Sequence, residues 1–211
     1  MATFEDVYNA VVSGQADEAR RAVEARLAEG ASPESILREG LIPAMGEVGA
    51  RFERQEFYVP EMLIAARAMQ AGLAVLRPRL VAEGVAPTAR AAIGTVQGDL
   101  HDIGKNLVAM MLQGAGFEVL DLGTDVPAEK FVAAAREGAQ LIGISALLTT
   151  TMARIPAVIR ALEEAGQRER VKVIVGGAPL TEAFARQAGA DGYAPDASLA
   201  VGASKSLLGL P

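Results

Sequence analysis

Short apolar runs alternate with helix-patterned segments through the second half of the chain, and this alternation restricts the fold more than any other feature. The apolar runs lie at residues 91–96, 117–122, 141–145, 171–177 and, more weakly, 190–193. Helical patterns fill the intervals, at about 103–115, 127–137, 152–165, 181–188 and 197–208. Uninterrupted apolar strands joined by helices are typical of a parallel sheet that is covered on both faces.

The first part of the chain carries a different pattern. Apolar side chains recur at spacings of three and four between Ala19 and Val48, which predicts amphipathic helices and a small bundle. A short stretch containing Pro87 then indicates a linker, because proline disfavours helix in the residue before it. We predict an α/β protein with a helical bundle cap over 1–84, a linker over 85–89 and a flavodoxin-like (Rossmann-type) domain over 90–211. The predicted domain has five parallel strands in the order 2-1-3-4-5.

The composition excludes several classes of function. The formal net charge is −6, and an acidic chain is a poor partner for nucleic acid or for an anionic membrane surface, so we expect neither. The chain has no cysteine, which removes disulfides, thiolate zinc sites and cysteine-held iron–sulfur clusters. His101 is the only histidine, so a metal site built from several histidines is excluded as well.

Nothing in the sequence indicates export or a membrane span. The first ten residues, MATFEDVYNA, lack the basic and apolar blocks of a signal peptide. No uninterrupted apolar run approaches the roughly 18 residues of a membrane-spanning helix. We therefore expect a cytoplasmic protein.

Chemically active side chains cluster where this topology places a ligand. In an open parallel sheet, ligands bind beyond the carboxyl ends of the strands at the topological switch, here between strands 1 and 3. Asp99 and His101 follow strand 1, and Ser145 stands at the end of strand 3. Strand 4 ends at Gly176 and Gly177, where paired glycines allow a ligand to approach the backbone. Each feature alone has a plainer explanation, since a lone histidine beside an aspartate is usually a structural pair and a serine can cap a helix.

Taken together, three separated motifs resemble the corrinoid-binding signature. Asp-x-His-x-x-Gly at 99–104 is followed by Ser-x-Leu at 145–147 and by Gly-Gly at 176–177. The string GDLHDIGKN resembles the cobalamin domain of methionine synthase and the small corrinoid proteins of methyltransferase systems. The segment FYVPEML, at 57–63, resembles the helical cap of the same proteins. Over nearly its whole length the chain is similar to the methyltransferase cognate corrinoid proteins, which serve methanol, methylamine or aryl-ether methyltransferases.

The resemblance implies a cobalamin or related cobamide as cofactor, with cobalt bound by His101 as the lower axial ligand. Asp99 is expected to accept a hydrogen bond from the other ring nitrogen, and Ser145 to continue this relay. These three are the expected catalytic residues, and Phe57 and Tyr58 are expected to shade the upper face of the corrin. The other residues expected to contact the cofactor are Gly98, Asp102, Ile103, Gly104, Leu147, Thr149, Gly176, Gly177 and Tyr193.

The implied function is that of a methyl carrier. Such a carrier accepts a methyl group on cobalt from a substrate:corrinoid methyltransferase and delivers it to a second methyltransferase acting on tetrahydrofolate or coenzyme M. A reductive activase is a further possible partner. The carrier is not expected to be catalytic alone, because the sequence offers no Cys or His ligands for a zinc ion that would activate a methyl donor.

Two other functions remain open at this point. A cobalamin-dependent sensor combines a similar cap and corrinoid domain with a DNA-binding region, but the acidic chain argues against it. The small subunit of an adenosylcobalamin mutase also binds a corrinoid in this way. Ile103, followed by Gly-Lys-Asn at 104–106, argues against the mutase.

Overall fold

The computed structural model describes residues 3–210, which form two compact units. The helical unit contains the chain up to Thr88 together with Gln113–Gly116, and the sheet unit contains Ala89–Leu112 and the chain from Phe117 onward. The outermost positions of the predicted domains, residues 1, 2 and 211, lie outside the described part of the chain.

Two helices of the helical unit begin at side chains that cap them. Thr3 and Asp6 form a reciprocal capping box at the start of the first helix, and Ser32 caps the third. Pro33 occupies the first turn after Ser32, where its missing N–H costs nothing. The helices are α1 (Phe4–Val12), α2 (Ala16–Ala28), α3 (Pro33–Ser35), α4 (Ile42–Glu53) and α5 (Val59–Ala82), with a π-helical stretch at Ile36–Leu41.

The long helix α5 is apolar enough, by length and composition alone, to cross a membrane. The expectation that no such segment exists overlooked it, because Glu61 and Arg67 interrupt the apolar run. Within the helical unit α5 packs against α1 and α2, and Gly72 lies against the side chains of Val23 and Leu41. These contacts are those of a core helix in a bundle.

The sheet unit contains a five-stranded parallel sheet in the order β2-β1-β3-β4-β5, which confirms the predicted topology. Its strands are β1 (Arg90–Val96), β2 (Glu118–Val126), β3 (Leu141–Ser145), β4 (Lys172–Gly176) and β5 (Gly192–Tyr193). The register sets Thr95, Ser145 and Gly176 side by side across the three central strands. The loops that follow β1, β3 and β4 therefore leave the sheet at the same level.

Helices joining the strands cover an apolar core in the sheet unit. Ile142, Ile144 and Val175 from the strands are buried in one cluster with Phe131 and Ile159 from the helices. Each such side chain contributes about 1.5–3 kcal/mol on burial. The helices are α6 (Ile103–Gly114), α7 (Ala128–Arg136), α8 (Thr149–Met152), α9 (Ile155–Glu164), α10 (Glu182–Ala188) and α11 (Ala197–Leu207).

Two boundaries differ from the sequence prediction. Strand β2 continues to Val126 rather than ending at residue 122, because register shifts lengthen it and polar edge residues hide its apolar pattern. The helix predicted over about 152–165 begins later, as α9 at Ile155, and a separate short helix, α8, precedes it. Pro156 stands in the first turn of α9 and begins it anew.

Gly177, which follows β4, has a conformation and a location that require glycine. Its φ is +134°, and a Cβ atom there would lie 1.9 Å from the carbonyl oxygen of Ala146. That backbone cannot retreat easily, since the Ala146 N–H donates to the Gly176 carbonyl at 3.2 Å. The glycine thus allows the turns after β3 and β4 to touch each other.

Gly177→Ala is expected to lower the free energy of unfolding by at least about 2 kcal/mol, because it combines a backbone clash with a left-handed conformation. Gly202→Ala is the matched control. Gly202 lies in α11 with no atom within 4 Å of its Cβ position, so alanine there should stabilise the protein by up to about 1 kcal/mol. Urea denaturation measures both. Equal stability of the two variants would contradict the observed packing of Gly177.

Candidate cofactor-binding site

The loop between β1 and α6 is fixed to the end of its own strand. The Asp99 N–H donates to the Val96 carbonyl at 3.1 Å, and the buried Thr95 hydroxyl donates to the His101 carbonyl at 2.9 Å. The loop backbone on either side of Leu100 is therefore held before any side chain in the loop is considered.

The Asp99 carboxylate is fully buried and accepts hydrogen bonds at both oxygens. Its Oδ1 accepts from His101 twice, from the backbone N–H at 3.1 Å and from ring Nδ1 at 2.7 Å. Its Oδ2 accepts from the Thr151 hydroxyl at 2.6 Å and the Leu147 N–H at 2.8 Å, and more weakly from the Leu148 N–H at 3.4 Å. One carboxylate thus joins the loop after β1 to the turn after β3.

These hydrogen bonds decide the charge of Asp99. Burial alone would raise the pKa of this carboxyl, because it disfavours the charged form. The bonds from Thr151, Leu147 and His101 outweigh burial and hold the pKa of Asp99 well below its usual range. Asp99 is therefore ionised at neutral pH.

The His101 ring is oriented by this carboxylate and remains accessible. Its side chain is 51% exposed, whereas that of Asp99 is 0% exposed. Since an ionised carboxylate only accepts, the geometry assigns the proton to Nδ1, and Nε2 then carries a free lone pair. A neutral imidazole nitrogen of this kind is a good ligand for a transition metal.

Apolar side chains flank the histidine and lie exposed. Leu100 is 74% exposed and Ile103 is 76% exposed, and Leu147 and Leu148 in the turn after β3 are also exposed. Exposed apolar groups on both loops around a free ring nitrogen offer a surface to a large, flat, partly apolar ligand.

The hydroxyl bound to Asp99 is not the one that the sequence suggested. Ser145 is the last residue of β3, and among the described residues its side chain makes no hydrogen bond to Asp99 or His101. Thr151, in α8, donates to Asp99 instead. The relay is therefore Thr151–Asp99–His101. Ser145 ends its strand and lies level with the sheet. Thr151 lies in the short helix that follows, which places its hydroxyl within hydrogen-bond distance of the Asp99 carboxylate.

The other predicted contact residues occupy the three loops but differ in their surroundings. Gly98 has a φ of +86°. Gly104 lies in α6, and no atom lies within 4 Å of the position that a Cβ would take there. The Asp102 carboxylate accepts from the Asn106 amide at 3.1 Å, which steadies the start of α6. Thr149 is exposed, while Tyr193 in β5 is half-buried against the core. Their contact with a cofactor stays a prediction.

Phe57 and Tyr58 belong to the helical unit. The Arg51 guanidinium lies 5.2 Å from the centre of the Phe57 ring. Tyr58 precedes α5, and its N–H donates to Glu61 at 2.9 Å while its side chain remains exposed. Their expected role against the cofactor also stays a prediction.

Three residues of the site were missed in the sequence: Thr151, Thr95 and Asp125. Thr95 carried a signal, because a hydroxyl at the end of an otherwise apolar strand must find a partner when it is buried. Asp125, whose carboxylate accepts from the Gly98 N–H at 2.7 Å, lies on a strand extension that the apolar pattern did not reveal.

The donor set fits a metal that arrives inside a macrocycle. In residues 3–210, no group of three or more His, Asp or Glu side chains could hold a metal ion. The site instead provides one oriented imidazole nitrogen among exposed apolar side chains. A corrinoid, whose ring nitrogens already surround its cobalt, needs one such axial ligand and an apolar surface. The residues present therefore fit a corrinoid.

Comparison with known proteins agrees with this geometry. The family described as "B12 binding domain" matches residues 89–202, and a second family of the same description matches residues 3–77. The dimethylamine corrinoid protein of Methanosarcina barkeri is 46% identical over 208 residues, with 97% of each chain covered.

Two solved structures are similar as well. The methanol:cobalamin methyltransferase complex of Methanosarcina barkeri contains a chain with a TM-score of 0.87 at 27% identity, covering 98% of this chain and 79% of that one. The monomethylamine corrinoid protein of the same organism has a TM-score of 0.53 at 33% identity, covering 93% of both chains.

The fold and the site thus define a B12-binding protein with a flavodoxin-like domain. The chain belongs to the family of methyltransferase cognate corrinoid proteins. Its cofactor is accordingly a cobalamin or a related corrinoid, and its role is that of a methyl carrier with methyltransferases as partners. The match favours this role over a sensor or a mutase subunit.

Thr151→Val is expected to lower the free energy of unfolding by about 1–3 kcal/mol at pH 7, because it removes a donor from a buried carboxylate. Ser145→Ala, the matched control, removes a hydroxyl that does not bind Asp99 and should cost clearly less. Urea denaturation of the cofactor-free protein compares them. Similar losses would contradict the assignment of Thr151 to the relay.

The cost of Thr151→Val should also depend on pH. The folded-state pKa of Asp99 is lowered, so the stability that ionised Asp99 contributes is present above the unfolded pKa of about 4 and is lost as the pH falls further. The unfolded state is common to both proteins, so the difference between wild type and Thr151→Val should be constant from about pH 4 to 8 and shrink as the pH falls from there towards the lowered folded-state pKa of Asp99. A difference that does not change with pH would contradict an ionised Asp99.

Proposed function

We propose that the protein takes a methyl group from a substrate:corrinoid methyltransferase of the dimethylamine type. It then delivers the methyl group to a second methyltransferase that acts on tetrahydrofolate or coenzyme M. The observation that carries the proposal is the half-exposed His101 ring, held through Nδ1 by the buried Asp99 carboxylate with Nε2 free.

When bound, the corrinoid would supply a cobalt centre able to take up and give up a methyl group, and His101 would be the residue that ligates it. The chain's own contribution is to hold His101 in a single tautomer and orientation. Asp99 does this through the ring nitrogen, and Thr95 does it through the backbone carbonyl. An imidazole that is already oriented loses little further freedom when it binds a metal.

Asp99 also places a negative charge beside the His101 ring. A carboxylate beside the ring stabilises a positive charge on it whenever the ring takes up a proton. Thr151 and the Leu147 N–H keep that carboxylate ionised by donating to its other oxygen. With Nδ1 held by the ionised carboxylate, Nε2 is the ring nitrogen left free to bind a metal.

The exposed apolar side chains around the histidine give the cofactor its binding surface. Leu100 and Ile103 lie on the loop after β1, and Leu147 lies on the turn after β3. Covering them with a corrin ring removes apolar surface from water, which favours binding by roughly 25 cal/mol per Å². The same contact shields the ligand nitrogen from water.

Activation of the methyl donor falls to a partner enzyme. A stable C–N or C–O bond needs a Lewis or strong general acid before its methyl group can leave. The sequence has one histidine, which the site uses, and no cysteine, so the familiar zinc ligand sets are not available in this chain. The protein is thus the carrier, and the substrate methyltransferase supplies the acid.

The choice of dimethylamine as donor rests on likeness along the whole chain. The dimethylamine corrinoid protein of Methanosarcina barkeri is 46% identical over 208 residues, with 97% of each chain covered. A partner methyltransferase recognises the surface of its carrier. Carriers that share many residues are therefore expected to bind the same class of methyltransferase.

The donor class can be tested by reconstitution. The corrinoid-loaded protein, reduced beforehand with titanium(III) citrate, is mixed with one methyltransferase specific for dimethylamine, monomethylamine or methanol, and with that donor. We expect the dimethylamine enzyme to methylate the carrier at least about tenfold faster than the methanol enzyme, as measured by release of monomethylamine or loss of methanol.

Two controls keep this test specific. The carrier with donor but without methyltransferase should not become methylated, and methylation there would contradict the carrier role. Faster methylation with the methanol or monomethylamine enzyme would contradict the dimethylamine assignment while leaving the carrier role intact.

A further inference from the structure

Strand β2 is irregular where it passes the histidine loop. Ile93 of β1 pairs with Asp121, Gly94 pairs with Gly123, and Val96 pairs with Val126. While β1 advances from Ile93 to Val96, β2 therefore uses extra residues at two register shifts. Bulges of this kind turn a side chain in a direction that a regular strand would not allow, and they occur often beside functional sites.

The second bulge turns Asp125 towards the loop after β1. Asp125 has a φ of +53°, a left-handed conformation that is uncommon outside glycine and that aspartate and asparagine adopt more often than other residues. Its Oδ1 accepts from the Gly98 N–H at 2.7 Å, and its own N–H donates to the Asp99 carbonyl at 2.9 Å. One residue of the edge strand thus binds the backbone of two consecutive loop residues, through the Gly98 N–H and the Asp99 carbonyl.

The first bulge holds the other end of the same loop. Asp121 accepts from the Gly123 N–H at 2.9 Å, which closes the turn, and binds the Lys105 ammonium at 2.5 and 2.6 Å. Lys105 is buried in the first turn of α6. Two aspartates of β2 therefore hold the segment that carries His101, one before the histidine and one after it.

The path from Asp125 to the imidazole is short and contains only direct bonds. Asp125 fixes the peptide groups of Gly98 and Asp99, and the Asp99 carboxylate fixes Nδ1 of His101. A backbone conformation that is uncommon for a non-glycine residue persists only where the surroundings reward it. Here two hydrogen bonds stabilise it: the Gly98 N–H donates to the Asp125 carboxylate, and the Asp125 N–H donates to the carbonyl of Asp99, the residue that orients the histidine.

We propose that Asp125 is a positioning residue for His101, which sets the place and tautomer of the imidazole by clamping the backbone of Gly98 and Asp99. Its effect on cofactor ligation rests on the proposed function. Its effect on the ring is measured in the cofactor-free protein and does not depend on the proposed function. If the proposed function fails, the positioning role of Asp125 can still hold, and the reverse is also true.

Asp191 provides a matched control within the sheet unit. Its Oδ2 accepts from the Val173 N–H at 2.7 Å, and its N–H donates to the Val173 carbonyl at 2.8 Å. The aspartate clamp is of the same type, but it joins the β5 edge to β4 and has no bond to the histidine loop. Arg168 also pairs with Asp191, at 2.9 Å. Removing Asp191 should therefore affect stability without affecting His101.

The test uses nuclear magnetic resonance of the cofactor-free protein labelled with nitrogen-15 histidine. Because His101 is the only histidine, its ring nitrogens give signals that need no assignment. In the neutral form of the ring, wild type should favour the Nδ1–H tautomer by about tenfold or more, as expected for a hydrogen bond to a carboxylate. Asp125→Ala should reduce that preference several-fold.

Two further substitutions separate the effect of the acceptor oxygen on the tautomer ratio from the effect of the left-handed backbone conformation. Asp125→Asn keeps an acceptor oxygen and tolerates the left-handed conformation, so it should restore the wild-type tautomer ratio. Asp125→Gly adopts the conformation without strain but lacks the acceptor, so it should behave like Asp125→Ala. This variant also keeps the test decisive if Asp125→Ala does not fold.

Several results would overturn the proposal. An unchanged tautomer ratio in Asp125→Gly would show that the acceptor is not needed, and loss of the preference in Asp125→Asn would show that the clamp is not the cause. A ratio altered by Asp191→Ala as much as by Asp125→Gly would show a general effect of lost stability. Thermal denaturation of each variant, measured alongside, provides the comparison for that last case.

Discussion

The buried Asp99 carboxylate is the constraint on which the rest of the site depends. A charged group without contact with water is stable only when its oxygens are supplied with donors. Asp99 collects them from His101, from Thr151 and from the backbone of the turn after β3. Satisfying one carboxylate therefore fixes two loops against each other and leaves the imidazole with a single orientation.

The parallel sheet makes this arrangement possible. Its register aligns the ends of β1, β3 and β4, so that the loops after them leave at one level. Gly177 lets the turns after β3 and β4 meet without a clash. The bulged end of β2 forms hydrogen bonds to the loop that carries the histidine. The site is thus built from loops that a rigid sheet holds, which is how precise ligand geometry is commonly achieved.

The general layout could be predicted from the sequence because it follows from strong local patterns. The apolar runs and the helical spacing between them predicted five parallel strands, the number of βα units suited the flavodoxin-like order, and the lone histidine beside Asp99 indicated the candidate site. Thr151 was missed because its role depends on where the first turn of α8 returns over the carboxylate, which spacing alone does not reveal. Asp125 was missed because β2 is an edge strand whose bulged, polar end has no apolar signature. The tight contact of Gly177 with Ala146 was likewise invisible, since a glycine pair suggests ligand access and backbone contact equally.

The central claim is that His101, oriented by Asp99, is the protein's ligand to the cobalt of the corrinoid. Electron paramagnetic resonance of the cobalt(II) form tests it most directly, when the protein is prepared once with ordinary histidine and once with nitrogen-15 histidine. The account predicts a hyperfine splitting from one axial nitrogen that changes from the nitrogen-14 to the nitrogen-15 pattern with the label. A nitrogen splitting that the label leaves unchanged would mean that the cofactor's own base remains on the metal, and would contradict the account.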